Sequence, residues 1–258
     1  MKKTIFLALA TLLTFCSTPT KKSMTISGQI DGLRKGQLFL QKMEDTLLVD
    51  LDSIAINGDN TFTLGDDIID PEFYLLTLKM DDSLFEKILF FGEKGDITIN
   101  TRLKTFSSSA EIEGSENQEL WEEYESIMRK FNNQNLTNYE NFLKDQEEMT
   151  DAERNAKWEA TNKNFVKRKY LFALNFAMNN ADKEVAAYIG RFEVNNAAPL
   201  FLDSLYNKLS DEVKKSKYGK LFQEELVRIK ESAEYIPITP GSLLKLQRTF
   251  ASVANEWL

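Results

Sequence analysis

The sequence contains no histidine and a single cysteine, Cys16, in 258 residues. Without His, the side chain that most often takes a proton near neutral pH is missing. Neither a Ser-His-Asp nor a Cys-His arrangement can be assembled. Structural and catalytic zinc sites draw on His and Cys, and a disulfide within the chain needs a second thiol. The expectation is therefore a protein with no catalytic residues, no cofactor and no metal centre. An excess of basic charge is missing as well: 32 Lys and Arg stand against 40 Asp and Glu, net charge −8. Residues 24–114 hold 8 basic and 17 acidic side chains, and residues 115–258 hold 20 and 23. Binding nucleic acid requires clustered cations to neutralise phosphate, so nucleic acid is not an expected partner. The acidity is read as a solubility feature.

Long apolar runs are confined to the first sixteen residues. Met1-Lys2-Lys3 is a short basic start, and Thr4 to Phe15 is an apolar stretch. That stretch suits an export signal and is shorter than the roughly 20 residues that span a bilayer. It ends at Leu13-Thr14-Phe15-Cys16, which resembles the bacterial lipobox. Leu13 fits the position three before the cysteine, whereas Phe15 stands where a small residue is usual. The expectation is a leader over 1–16, lipidation at Cys16 with membrane attachment through acyl chains, and a polar tether over 17–23. The location implied is the bacterial cell envelope, facing the periplasm or exterior.

What is present after residue 23 is enough apolar content for genuine cores: 42% hydrophobic and 28% charged. From 24 to 114 the pattern is β. Met24–Ile30 alternates and stops at the turn pair Asp31-Gly32. Gln37–Gln41, Leu47–Ile56, Thr61–Leu64, Phe73–Lys79, Lys87–Phe91, Asp96–Arg102 and Ala110–Glu113 follow as seven further strands. Asn57-Gly58 between the third and fourth reads as a hairpin turn. Short strands at this spacing predict an antiparallel sandwich or partly open barrel.

At Gly114-Ser115 the period changes. Ser115 and Gln118 form a capping box, followed by Leu120, Tyr124, Ile127 and Phe131 on one helix face. Asn132–Asn138 is expected to break that helix. Thr150 and Glu153 form a second capping box, opening a long helix to about Met178. Asp182 is expected to cap a helix through Phe192, Pro199 to start another, and Tyr218 to Ala233 to carry a further one. Thr239-Pro240 opens a last helix bearing Leu243, Leu246, Phe250, Val253 and Trp257. The fold class expected is α+β, with a β-domain over 24–114 and a helical domain over 115–258.

Ile26-Ser27-Gly28-Gln29-Ile30, Leu38-Phe39-Leu40, Asp52-Ser53, Gly58-Asp59-Asn60-Thr61-Phe62, Phe91-Gly92-Glu93-Lys94-Gly95-Asp96-Ile97-Thr98-Ile99 and Ile112-Glu113-Gly114-Ser115 occur in that order. This set resembles the N-terminal β-domain of unknown function found ahead of thioredoxin-like domains in many bacterial envelope proteins. Val185-Ala186-Ala187-Tyr188 and Ser216-Lys217-Tyr218-Gly219-Lys220 look like the helical middle region of the same proteins. The resemblance implies an envelope location and a domain without an assigned activity. In the longer relatives a domain with Cys-x-x-Cys follows. No Cys lies after Tyr235 here, so redox activity is not carried over. A native short ending and a truncated remnant both stay open.

Three groups of residues invite sharper readings. Asp66, Asp67, Asp70 and Glu72 offer oxygen ligands for calcium but lack EF-hand spacing, and an acidic loop is preferred. Glu122-Glu123, Glu147-Glu148 and Glu224-Glu225 resemble glycosidase pairs, but neighbours on a helix point apart. They are read as solvated faces. Trp121, Trp158 and Trp257 are read as core. The function expected is a non-catalytic envelope module that binds a peptide, glycan or partner protein. A truncated or accessory form of a thiol-disulfide protein and a hydrolase working with Asp and Glu alone are the alternatives.

Overall fold

A computed structural model describes residues 22–80, 84–144, 149–195 and 197–232. Cys16 and its leader, Glu147-Glu148, Trp257 and the expected helix after Pro240 lie outside these residues.

All eight expected strands form: β1 Met24–Asp31, β2 Lys35–Glu44, β3 Leu47–Asn57, β4 Thr61–Asp66, β5 Glu72–Met80, β6 Leu84–Gly92, β7 Gly95–Arg102 and β8 Glu111–Glu113. They build two four-stranded sheets, β4-β1-β7-β8 and β3-β2-β5-β6. The second is antiparallel throughout. The first contains one parallel pair, β1 with β7; the chain crosses to the other sheet twice, for β2-β3 and for β5-β6, before β7 joins β1. Alternation places Ile26, Leu38, Leu40, Tyr74, Leu76, Phe90, Ile97 and Ile99 in a dry layer between the sheets. Gly28 sits against the Ile99 carbonyl, where a Cβ would collide with backbone.

The Asn57-Gly58 turn forms, with Gly58 at φ +99°, but it is not a hairpin. β3 pairs with β2 and β4 with β1, so the turn carries the chain from one sheet to the other. Its backbone groups bond the β1–β2 connection instead: Gly58 N–H donates to the Arg34 carbonyl at 2.8 Å, and Ile30 N–H to the Asn60 carbonyl at 2.9 Å.

The helices among the described residues are α1 Glu116–Lys144, α2 Asp151–Asn179, α3 Glu184–Tyr188, α4 Pro199–Lys208, α5 Asp211–Lys215 and α6 Lys217–Ser232. α3 runs into a π turn over Ile189–Glu193. α1 does not break at Asn132–Asn138. The asparagines are poor helix formers but do not bar a helix as Pro does, and beyond them Tyr139 and Phe142 pack on Trp158 of α2 at 5.8 and 5.1 Å. Tertiary pairing thus carries α1 on to Lys144 despite a polar stretch. The cap of α3 also differs from expectation: Lys183, not Asp182, precedes the helix and gives no side-chain cap.

The capping box at Thr150 is complete, with both reciprocal bonds to Glu153. Thr150→Ala is expected to cost about 0.5–2 kcal/mol. The loss should be seen first as faster amide exchange in the opening turns of α2. Ser115 caps Gln118 N–H at 3.1 Å, but only half of that box forms, because the Gln118 side chain is used elsewhere.

Candidate functional site

The sheet β3-β2-β5-β6 has apolar residues on both faces along β5 and β6. Tyr74, Leu76, Ile88 and Phe90 point into the sandwich. Phe73 and Phe91 point outward and join the helical core. Their backbone amides are satisfied by side chains from the helices. Phe91 N–H donates to Gln118 Oε1 at 2.7 Å, and Phe73 N–H donates to the Tyr218 hydroxyl at 2.9 Å. Around them Phe73 lies 4.6 Å from Phe91, 5.1 Å from Trp121 and 4.6 Å from Tyr188. Tyr188 in turn lies 5.1 Å from Tyr218 and 4.9 Å from Phe192. Edge-to-face and tilted pairs of this kind add to burial.

Beside this cluster is a cleft of about 820 Å³. Leu75 and Leu89 of the sheet form its floor, and Tyr188, Phe192, Tyr218 and Leu221 form the helical wall. Leu89 is 50% exposed and Phe192 41%. The π turn shapes this wall: Val194 N–H donates to the Ile189 carbonyl at 3.1 Å, and the extra residue turns Arg191 and Phe192 to the cleft. Such single-turn π bulges are frequent at functional sites. Gly190, within the turn, lies under the Phe222 ring, where a Cβ would clash.

The buried carboxylates at the cleft and behind its wall are already matched. Glu72 is 6% exposed and lies 3.4 Å from Lys42 Nζ, with Lys217 as its second partner. Lys217 also donates from Nζ to the Met43 carbonyl at 3.1 Å and from its backbone N–H to Asp70 Oδ2 at 3.0 Å. Glu225, 5% exposed, accepts from Arg228 Nε at 3.0 Å and lies 3.6 Å from Arg191. The Arg228 hydrogen bonds hold its carboxyl below the usual carboxylate range. Glu225 is therefore a buried, paired group and not part of a solvated face.

The other singled-out acids go separate ways. Asp67 pairs with Lys22 at 2.9 Å and accepts from Ser23 N–H at 3.1 Å. Asp66 accepts from the Tyr74 hydroxyl at 3.0 Å. Among the described residues no group of three or more metal-ligating side chains converges. Trp121 is core. Trp158 is half-buried near the far end of the α1–α2 pair, away from the cleft. Glu122 accepts from Gln118 Nε2 at 2.7 Å. Glu125, whose carboxyl is raised by desolvation, lies 3.8 Å from Arg129, one turn on along α1.

Burial pushes the phenols of Tyr74, Tyr124 and Tyr218 well above the ordinary tyrosine range and that of Tyr188 up to about 12. An unfolded tyrosine titrates near pH ~10. Above that pH the unfolded chain sheds protons that the folded chain keeps, so stability is whole below pH ~10 and falls as pH rises. Denaturation midpoints measured across this range should drop, with tyrosinate absorbance appearing together with unfolding.

Of the residues lining the cleft, the sequence marks Asp70, Glu72 and Glu224 only as acidic groups, and the apolar ones not at all as a site. The available signal was the unbroken apolar run Phe73-Tyr74-Leu75-Leu76 and its partner Ile88-Leu89-Phe90-Phe91, since strands covered on both faces lose alternation.

Residues 24–121 match the model of a family described as Domain of unknown function (DUF4369). The match runs from β1 into the first turns of α1. No curated protein and no solved structure matches the chain.

Proposed function

We propose that this protein is a non-catalytic binding module of the bacterial envelope, exported by its leader, anchored through Cys16, and holding an apolar peptide segment in the cleft between β5, β6 and α6. The observation that carries the reading is an apolar floor and wall left open to solvent at Leu89 and Phe192 beside buried carboxylates that are already paired. A ligand there gains mainly apolar contact, as an amphipathic helix does in a groove. Glu72 and Glu225, the buried carboxylates nearest the cleft, are each held by two cations. That favours binding over acid–base chemistry, which needs a carboxyl free to exchange its proton. Kinship with the front part of thiol-disulfide envelope proteins belongs to the same proposal, without their redox step.

Selection of displayed random peptides on the purified chain should enrich sequences with Leu, Phe or Trp three and four residues apart. Leu89→Asp should abolish their binding. If no sequence is enriched, or binding survives Leu89→Asp, the cleft is not a peptide site. Attachment is tested separately: a palmitate analogue should label the wild type in cells and not Cys16→Ser, and equal absence of label in both removes the anchor.

A further inference from the structure

The cleft runs along the first two turns of α6, and its two ends differ in charge. At the start of α6, Asp45, Asp70 and Glu72 line it together with Lys42 and Lys217. Lys217 is fully used there, by Glu72, Asp70 and the Met43 carbonyl. Glu225 lies eight residues further on, about 12 Å at the helical rise. At that level the balance reverses. Both oxygens of Glu225 are taken by the Arg228 fork, the bidentate pairing that best satisfies a carboxylate. Arg191 is left 3.6 Å away, and its guanidinium makes no hydrogen bond among the described residues. The Arg191 side chain is 27% exposed, lines the cleft and lies 4.9 Å from the Phe192 ring. Lys220 is exposed on the same wall and pairs with no carboxylate among the described residues. The acid lining this end is Glu224, one against two cations.

We infer that the peptide held in the cleft is an acidic one, which seats an Asp or Glu carboxylate on Arg191 while its apolar side chains lie on Leu89 and Phe192. This rests on reading the cleft as a peptide site and adds what that site selects. A guanidinium offers five N–H donors in a planar fork that matches a carboxylate. The Phe192 ring under the fork holds it at the edge of the apolar wall. Arg191 and Phe192 are neighbours in the π turn. The carboxylate therefore sits within one helical turn of the apolar residue that covers Phe192, three or four positions away. Lys220 attracts the same group, and the acidic end of the cleft repels it. Charge thus sets the direction in which the peptide lies, and apolar contact supplies the rest. The preference is local, since the chain as a whole carries net charge −8.

Two measurements on the full chain test this. A library of displayed random peptides, selected separately on wild type and on Arg191→Met, should enrich apolar residues on both proteins. Asp or Glu three or four positions from Leu, Phe or Trp should be enriched on wild type only. A synthetic peptide from the wild-type selection then enters a four-way comparison. Replacing its acidic residue by the corresponding amide, or the protein by Arg191→Met, should each weaken binding at least tenfold. Both changes together should cost no more than one of them. The peptide change leaves the protein untouched, so the comparison holds even where Arg191→Met loses some stability. Apolar enrichment without an acidic preference overturns the inference and leaves the cleft reading standing. An acidic preference that persists on Arg191→Met, or losses that simply add, overturns it as well. Acidic peptides enriched without apolar residues, and lost with Arg191→Met, keep Arg191 as a carboxylate seat and remove the apolar cleft. No enrichment on either protein overturns both.

Discussion

Replacing Lys42 and Lys217 together by Met will cost about 3–5 kcal/mol of folding stability, measured by chemical denaturation near neutral pH. Glu72 is the reason. It is 6% exposed at the start of β5, where the sheet passes under the helices, and Lys42 and Lys217 are its cations. Removing both leaves a carboxylate out of water with nothing to balance it. Either lysine alone should cost less, since the other stays within reach. Adding Glu72→Leu to the double variant should restore most of the loss, because an apolar trio of similar volume suits this position. The recovery separates an unpaired charge from damaged packing: if the triple variant is as weak as the double, packing and not charge holds the junction. The Lys217 side chain also ties α6 to the Met43 carbonyl, so the double variant should loosen the cleft wall as well as the fold, while the backbone bond from Lys217 N–H to Asp70 stays.

The strands were legible in the sequence because their cause is local. Alternation and turn residues mark each one, and all eight lie where Met24 to Glu113 predicts. What the sequence hides is pairing. Asn57-Gly58 turns sharply in either case, but the strand after it crosses to β1, and the turn's bonds go to the Arg34 carbonyl and the Ile30 N–H, both distant in the chain. The helices show the same division. Thr150 and Glu153 cap α2 through contacts three residues apart, and the box is complete. Asn132–Asn138 reads as a break only until Tyr139 and Phe142 meet Trp158. Gln118 reads as the second half of a capping box, yet its carbonyl oxygen accepts from Phe91 N–H, a donor that no local pattern announces. The cleft belongs wholly to this second kind. Leu89, Tyr188, Phe192 and Tyr218 come from elements far apart, and the π turn that turns Phe192 to the cleft is one residue of register.

Asn117→Leu will cost about 2–4 kcal/mol and will also weaken peptide binding in the cleft, although residue 117 does not line it. Asn117 is buried at the start of α1. Its Oδ1 accepts from Val185 N–H at 2.9 Å, and its Nδ2 donates to Glu93 at 2.7 Å and Glu184 at 3.1 Å. α3 has no side-chain cap of its own, so Asn117 serves as that cap from another helix. Leucine fills similar space but leaves a buried N–H unpaired and takes a donor from two carboxylates. The first turn of α3 should then fray, and Tyr188 and Phe192 follow it in the chain, so the cleft wall moves. Asn117→Asp isolates the electrostatic part. It keeps an acceptor for Val185 while setting a third carboxylate beside Glu93 and Glu184. Burial already raises the Glu184 carboxyl, so its contribution is present at low pH and lost as pH rises through the folded value. A neighbouring charge acts in the same direction. The variant should therefore be weak at about pH 7 and recover toward wild type near pH ~5, whereas Asn117→Leu should stay weak at both. Equal loss at both pH values for Asn117→Asp would mean that repulsion among the three carboxylates is not the cause, since aspartate keeps the shape of asparagine and loses only the Nδ2 donor.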